Sequence, residues 1–308
     1  ELILSEFPVV SLQIAQGALV TPQSMQATSA EADTILRFRS GIIHFNLKDY
    51  LQKGTFVLPK VVLQGAKLYG YVSEKGVANW ECFFTGSTAP SLYKIVIDNI
   101  EGKDVTLLYF DAEIDRKIEL LNTKLFLPKV EILYRSDVPL QRDTIGVNLS
   151  KMNALGDFKY HEKRMDLDVS LPQVKLWIDG LLATNRSAFK ASAKAKNANI
   201  RKGQYTFFFP DTLFAQTTLT TQDKNNYVNV KNLVLQLRDI GVTTKGWARR
   251  DKPTSDFEMD LDYDIKVPVS NDLFALVPLQ YAKEQRKTQL GGAVFMNGKV
   301  YGWLTDSG

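Results

Sequence analysis

The chain has 308 residues, of which 44% are hydrophobic and 23% charged, and its formal net charge is +4. These values indicate a folded protein with a sizeable core, and the weak charge gives no reason to expect a nucleic-acid partner. Cys82 is the only cysteine, which excludes an intrachain disulfide and a thiolate metal cluster. No run approaches the ~18 apolar residues that a membrane-spanning helix needs.

The first helical signal along the chain is NLKDYLQKG, residues 46–54. Asn46 is a suitable N-cap and Gly54 a suitable stop, so this stretch predicts a short helix. Most of the remaining sequence alternates apolar and polar residues, a pattern typical of β-strands joined by short turns.

The segment FVLPKVVLQGAKLYGYVSEKGVANWECF, residues 56–83, contains the next clear signals. Gly76 predicts a hairpin turn with a positive φ, Asn79 can bond the backbone of that turn, and Trp80 can bury its ring against a sheet. Turn chemistry accounts for all three residue types, and we therefore interpret them as a structural motif rather than as ligand contacts.

A weak repeat also occurs, in which a Leu-Pro pair precedes an alternating stretch. Proline lacks the N–H group that a sheet ladder uses, and it is therefore tolerated at strand starts. The repeat predicts a recurring strand entry, and its copies are LPKVVL (58–63), LPKVEI (127–132) and LPQVKL (171–176).

The stretch RMDLDVSL alternates apolar residues with Asp166, Asp168 and Ser170. Alternate side chains of a strand point to opposite faces, so the sequence predicts one apolar face here. The residues of that predicted face are Met165, Leu167, Val169 and Leu171.

The stretch FEMDLDYDIKVPV contains four closely spaced carboxylates, at Glu258, Asp260, Asp262 and Asp264. They do not fit a calcium loop, because the positions that require Gly and Glu are occupied by other residues. The alternation instead places the acids on the solvated face of a strand. The opposite face is then apolar and consists of Phe257, Met259, Leu261, Tyr263 and Ile265.

The segment SNDLFALVPLQYAKEQRKTQLGG, residues 270–292, is the second helical region. Residues 270–272 are possible N-caps and Gly291 a possible stop. Pro278 lies inside the segment and predicts a break, so two short helices are expected.

Residues that would indicate catalysis are scarce. His44 and His161 are the only histidines, and neither has the spacing of a metal-ligand motif. The sequence contains no nucleophile elbow, P-loop or dinucleotide-binding fingerprint. We therefore expect a protein that is not an enzyme and that uses no cofactor and no metal.

Three segments together resemble the AsmA family of bacterial envelope proteins. The first, residues 56–83, carries the family's tyrosine-bearing strand, turn and Asn-Trp pair, and the others are a following hairpin at 92–120 and a closing pattern at 260–304. The residues of the first segment that carry the resemblance are Tyr69, Tyr71, Gly76, Asn79 and Trp80.

The resemblance implies a mainly β fold with a long, curved, largely antiparallel sheet that forms an apolar groove, together with a few short helices. It also implies a periplasmic protein, anchored to the inner membrane by an N-terminal helix that this chain lacks. An N-terminal module would occupy residues 1–150 and a continuing module residues 151–308, although one continuous domain is also compatible. The alternation alone fits a sandwich of two packed sheets equally well.

In the implied function, the groove binds or conducts phospholipid or other acyl chains and supports outer-membrane biogenesis, and other envelope proteins are possible partners. The two alternating stretches supply the predicted lining. The alternative is an assembly scaffold that acts through protein contacts and has no lipid site.

Overall fold

The computed structural model describes residues 2–6, 9–20, 34–46, 56–79, 92–135, 146–183, 186–222, 226–251, 256–281 and 289–304. The strands of the first half are β1 (Leu2–Glu6), β2 (Val9–Ile14), β3 (Gly17–Val20), β4 (Thr34–Phe38), β5 (Ser40–Asn46), β6 (Phe56–Leu58), β7 (Lys60–Gln64), β8 (Lys67–Val72), β9 (Leu92–Ile97), β10 (Ile100–Asp111), β11 (Arg116–Leu127) and β12 (Lys129–Arg135).

The strands of the second half are longer on average. They are β13 (Gly146–Glu162), β14 (Leu167–Ala183), β15 (Ala188–Ala195), β16 (Ala198–Lys202), β17 (Tyr205–Phe209), β18 (Leu213–Gln222), β19 (Tyr227–Leu237), β20 (Ile240–Arg249), β21 (Phe257–Val267) and β22 (Val294–Leu304). Two 3₁₀ helices, Ser270–Leu276 and Leu279–Tyr281, lie between the last two strands.

All these strands belong to one hydrogen-bonded sheet. Its main body is antiparallel and runs from β10 through β11, β13, β14, β15, β18, β19, β20 and β21 to β22. The N-terminal strands join this body through parallel pairing of β10 with β7 and β8, and β6 is also parallel to β9. The fold is therefore mainly β, with a long, open, largely antiparallel sheet and two short helices.

A transverse line of backbone irregularities crosses the sheet, and we call this line the bend. Each of its residues has a φ between 51° and 58°, a left-handed conformation that is uncommon outside glycine. The strand register shifts beside several of them, as expected for bulges that bend a strand. The bend comprises Gly65, Asp104, Asn122, Gln173 and Asn197.

The inner side of the bend contains most of the fully buried side chains of the described chain, and Val267 at the end of β21 is the exception. Most of them are small, which lets neighbouring backbone segments approach closely where the sheet turns. A methyl group at Gly156 would lie 2.4 Å from Thr123 Oγ1 and 2.7 Å from Leu121 O, so this position has no room for a side chain. The residues with at most 1% exposure at the bend are Ala66, Val105, Thr123, Val174 and Ala198.

The bend divides the sheet into two arms. The short arm contains residues 105–121, 157–171 and 198–209, and it ends at the turns 112–115 and 163–166. The long arm contains residues 174–183 and strands β15 and β18–β22. Most described residues of the long-arm strands are only partly buried, and residues 294–303 of β22 are exposed apart from Gly302. Much of the sheet surface is therefore left uncovered.

The prediction that Met165 belongs to a strand is wrong. Glu162 pairs with Leu167, so the four residues between them must form the turn that joins β13 to β14. Asp166 closes this turn, with its backbone N–H donating to Lys163 O at 3.0 Å. Met165 therefore lies in the turn, and the alternating face begins at Leu167.

The helical predictions have mixed outcomes. The two 3₁₀ helices flank Pro278, as the predicted break requires. The predicted N-caps are wrong, because the cap position is Val269 and no side chain bonds the helix start there. The predicted helix at 46–54 lies outside the described residues apart from Asn46, which ends β5.

The Leu-Pro repeat lies at kinks within long runs of strand. Pro59 separates β6 from β7, and Pro128 separates β11 from β12. Pro172 precedes the left-handed Gln173 inside β14. The copies at Pro59 and Pro128 are therefore each followed by a strand, as predicted. In both cases that strand directly follows another strand rather than a loop. The boundary at 150/151 falls within β13, and the strands on both sides of it share one sheet.

Candidate functional site

The alternating residues of β21 all lie on one face of the long arm, which we call the dry face. Leu261 pairs with Gly246 of β20 and with Val300 of β22, and Ile265 pairs with Val242 and Met296. Each predicted residue of β21 is partly buried. The β21 part of the dry face is Phe257, Met259, Leu261, Tyr263 and Ile265.

The dry face continues across the long arm because cross-strand pairs lie side by side. Two neighbouring rows of paired residues cross the arm. The first row is entirely apolar, and the second contains apolar residues, two threonines and a tyrosine. No charged residue interrupts either row. The first row is Leu176, Ala193, Ala215, Leu235, Val242 and Ile265, and the second is Ile178, Ala191, Thr217, Leu233, Thr244 and Tyr263.

The second predicted set reaches the same face from the short arm. Leu171 packs against the buried cluster around Val174, and Leu176 packs against that cluster from the long arm. Leu167 and Val169 continue the face of Leu171 away from the bend, with partial burial. The structure thus places Leu167, Val169 and Leu171 on the dry face, across the bend from β21.

The carboxylates of β21 lie on the opposite face, which we call the outer face, and three of them form ion pairs with basic residues of β20, of β22 or of β21 itself. Glu258 forms an ion pair with Arg249, and Asp260 Oδ1 lies 2.8 Å from Lys299 Nζ. Asp264 Oδ2 lies 3.8 Å from Lys266 Nζ. These contacts are those of a solvated, charge-paired surface, as the alternation predicts.

A polar cluster occupies the far end of the dry face in the short arm. Arg116 Nη2 donates to Asp111 Oδ2 at 3.1 Å, and the Tyr109 hydroxyl donates to the same oxygen at 3.3 Å. In the next strand the Tyr160 hydroxyl donates to Glu162. Burial and the hydrogen bond to Glu162 raise the pKa of Tyr160 to about 12. Burial, and then the charge of Asp111, also raise the pKa of Tyr109.

Sequence reasoning missed this cluster, although a signal was present. The alternating face of β10 runs through Leu107 and Tyr109 and then ends on Asp111. A charged residue in phase with an apolar face, as Asp111 and Glu162 both are, marks the place where that face becomes polar.

The curvature of the sheet brings the end of β20 towards this cluster. Arg250 follows β20 on the dry side, and its guanidinium lies 5.2 Å from the ring centre of Phe257. Burial and the positive charge of Arg116 lower the pKa of Arg250, and Glu162 acts in the opposite direction. The dry side of the long arm at Arg250 is therefore close enough to the polar cluster of the short arm for their charges to interact.

The turn motif lies elsewhere, directly after β8. Gly76 has a φ of +73°, the conformation for which glycine is suited. Asn79 Oδ1 accepts from Tyr71 N at 3.1 Å, and Asn79 Nδ2 donates to Tyr69 O at 3.0 Å. These bonds hold the turn against its strand. Trp80 lies outside the described residues.

Within the described ranges, no group of three or more His, Cys, Asp or Glu side chains is arranged to hold a metal ion. In that part of the chain, no helix has the length and apolar character needed to cross a membrane. The cavity lined by Lys117, Lys159, His161 and Arg201 has a volume of about 380 Å³ and lies on the outer face, with Asp168 bonded to both His161 and Arg201.

No protein-family model, curated protein or solved structure matches the chain.

Proposed function

We propose that this protein is a non-enzymatic component of the bacterial envelope that binds or conducts phospholipid or other acyl chains along its dry face. The AsmA-like sequence pattern supports the envelope assignment, a periplasmic location and a role in outer-membrane biogenesis. The observation that carries the proposal is the pair of uncharged rows that cross six strands of the long arm.

The physical basis of the proposal is the hydrophobic effect. Each methylene group of an acyl chain that leaves water contributes about 0.8 kcal/mol. A hydrocarbon chain needs no directional polar partner, so rows of Leu, Ile, Val and Ala side chains are sufficient to hold it. The polar cluster around Arg116 and Glu162 limits this surface at one end, and we expect the acyl chain to lie between the cluster and β22.

The rival function is a scaffold that acts through protein contacts alone. The partial burial of the dry face suits a protein partner as well as a lipid. A saturable site for hydrocarbon distinguishes the two functions, because a scaffold without a lipid site has none.

The test is titration of the detergent-free protein with a fluorescent fatty acid, together with mass spectrometry of lipids that co-purify. We expect saturable binding for the unmodified chain. Leu261→Asp places a charge on the dry face of the long arm and should weaken binding at least tenfold, about 1.4 kcal/mol. Leu167→Asp adds a charge beside Glu162 of the polar cluster, at the limit of the site, and should weaken binding less.

The matched control is Gln216→Asp, which adds the same charge to the outer face of β18, where Gln216 is exposed. It should bind the fatty acid as the unmodified chain does. Circular dichroism establishes that each variant is folded. Non-saturable uptake by the unmodified chain, with no co-purifying lipid, would overturn the proposal in favour of the scaffold.

A further inference from the structure

Strand β22 forms a free edge of the sheet. It pairs with β21 over its whole length without a register shift, and among the described residues no strand pairs with its other side. Both of its faces are exposed. On the outer face Phe295, Tyr301 and Trp303 are 69%, 79% and 63% exposed. On the dry face a Cβ atom at Gly302 would meet nothing within 4 Å.

Another edge of the same sheet is covered. Beyond its pairing with β16, β17 is flanked by the two 3₁₀ helices. Gln280 of the second helix bonds the β17 side of the sheet, with Nε2 donating to Gln204 O at 3.2 Å and Oε1 accepting from Thr206 N at 3.5 Å. The fold therefore protects one edge with a helix and leaves β22 without such cover.

Natural edge strands usually avoid association through prolines, bulges or unpaired charges. β22 has no proline and no bulge, and its single charged residue, Lys299, is paired with Asp260. A long, regular and largely apolar edge is a template for another strand.

We propose that the occupant of this edge is β22 of a second copy of this chain, paired antiparallel about Gly298. In this register Phe295 of each copy faces Tyr301 of the other, and Met296 faces Val300. Such a contact is isologous, with the same surface used by both copies.

Charge supports this occupant. Lys299 of one copy would face Asn297 of the other, so no like charges lie directly opposite each other, and each Lys299 is neutralised by Asp260 of its own chain. A two-fold axis perpendicular to the sheet joins the dry faces of the two copies into one continuous surface. It likewise joins their outer faces, where Phe295 of one copy packs beside Tyr301 of the other. The dimer itself does not depend on the proposed lipid function.

The exposed surface is also sufficient. An aromatic side chain can bury 150–250 Å², so the three exposed aromatic residues offer about 400 Å² per copy on the outer face. Met296 and Val300 and the edge backbone add to this on the dry side. The total from two copies reaches the ~1,000 Å² that specific interfaces require.

Sedimentation equilibrium over a range of protein concentrations tests the proposal. The unmodified chain should form a reversible dimer, whereas Tyr301→Lys should be monomeric, with at least a tenfold weaker association. The control Phe126→Lys changes an exposed aromatic residue of β11, which has strands on both sides, and should leave the dimer intact.

A charge-swap experiment tests the register. Phe295→Glu is expected to be monomeric alone but to form a one-to-one dimer when mixed with Tyr301→Lys, because residues 295 and 301 face each other. An unmodified chain that stays monomeric at all concentrations would overturn the proposal. A dimer that Tyr301→Lys does not weaken, or a mixture that stays monomeric, would overturn it too.

Discussion

The bend and the dry face of the long arm use apolar residues in opposite ways. At the bend, side chains such as Val105 and Val174 are small and fully buried, and the position of Gly156 has no room for a side chain beside Thr123. On the dry face, larger side chains such as Leu261 are only partly covered. The bend therefore supplies the packing that holds the sheet, and the dry face retains apolar surface that intramolecular packing does not use.

The first prediction compares two glycines. Gly156→Ala forces a methyl group against the backbone oxygen of Leu121, which cannot rotate away, and should lower the free energy of unfolding by about 3 kcal/mol. Gly241→Ala is the matched control, because nothing lies within 4 Å of its added methyl group. Urea unfolding measures both. Equal effects of the two substitutions would show that the bend is not tightly packed.

The second prediction compares the same deletion in the two regions. Val174→Ala removes fully buried methyl groups at the bend and should cost about 2 kcal/mol of unfolding free energy. Val300→Ala removes the same groups from a residue that is 49% exposed and should cost less than about 0.5 kcal/mol. Thermal unfolding at low protein concentration measures both, and a larger cost for Val300→Ala would contradict the comparison.

The third and smallest effect concerns the charge of Asp157 at the bend. Asp157 Oδ1 accepts from the backbone N–H of Gln173 at 2.9 Å, and Oδ2 accepts from Asn122 Nδ2 at 3.4 Å. The backbone bond from Gln173 is the main cause that lowers the pKa of Asp157. The ionised carboxylate of Asp157, on β13, therefore holds the left-handed residues Asn122 of β11 and Gln173 of β14 in place on either side of it.

A lowered folded-state pKa gives stability that is complete above the unfolded-state pKa, about 3.9 for Asp, and is lost as pH falls through the lower folded-state value. The group is solvent-exposed, so the contribution should be a few tenths of a kcal/mol. Asp157→Asn should reduce the acid dependence of unfolding free energy by this amount, as urea titrations between about pH 5 and pH 2 can measure. If Asp157→Asn left the acid dependence of the unfolding free energy unchanged, the Asp157 carboxylate would not stabilise the bend.

Period-two alternation predicted β21 correctly and assigned its acids to the outer face, because a strand with one solvated side imposes that pattern directly. Pro278 likewise predicted the break between the two helices. Met165 was misassigned because alternation extends into a turn whose residues happen to continue it. The length of the hairpin, which is set by pairing between Glu162 and Leu167, decides where the strand starts, and a local pattern does not contain that information.

The bend was not predicted, although the alternation carries a trace of it. The apolar positions of β14 change phase from Leu167, Val169 and Leu171 to Val174 and Leu176. Each phase change marks one inserted residue. The alignment of such insertions across neighbouring strands depends on pairing register, and it is therefore a property of the sheet rather than of any one strand.

That alignment has a consequence for how such a chain can vary in length. Adding or deleting one residue between a hairpin turn and the bend would move one strand's kink out of line with those beside it, so the two segments flanking each turn must change together. Length variation should therefore concentrate in the turns themselves, or arrive as whole strands appended beyond an edge, while the distance from turn to kink stays constant.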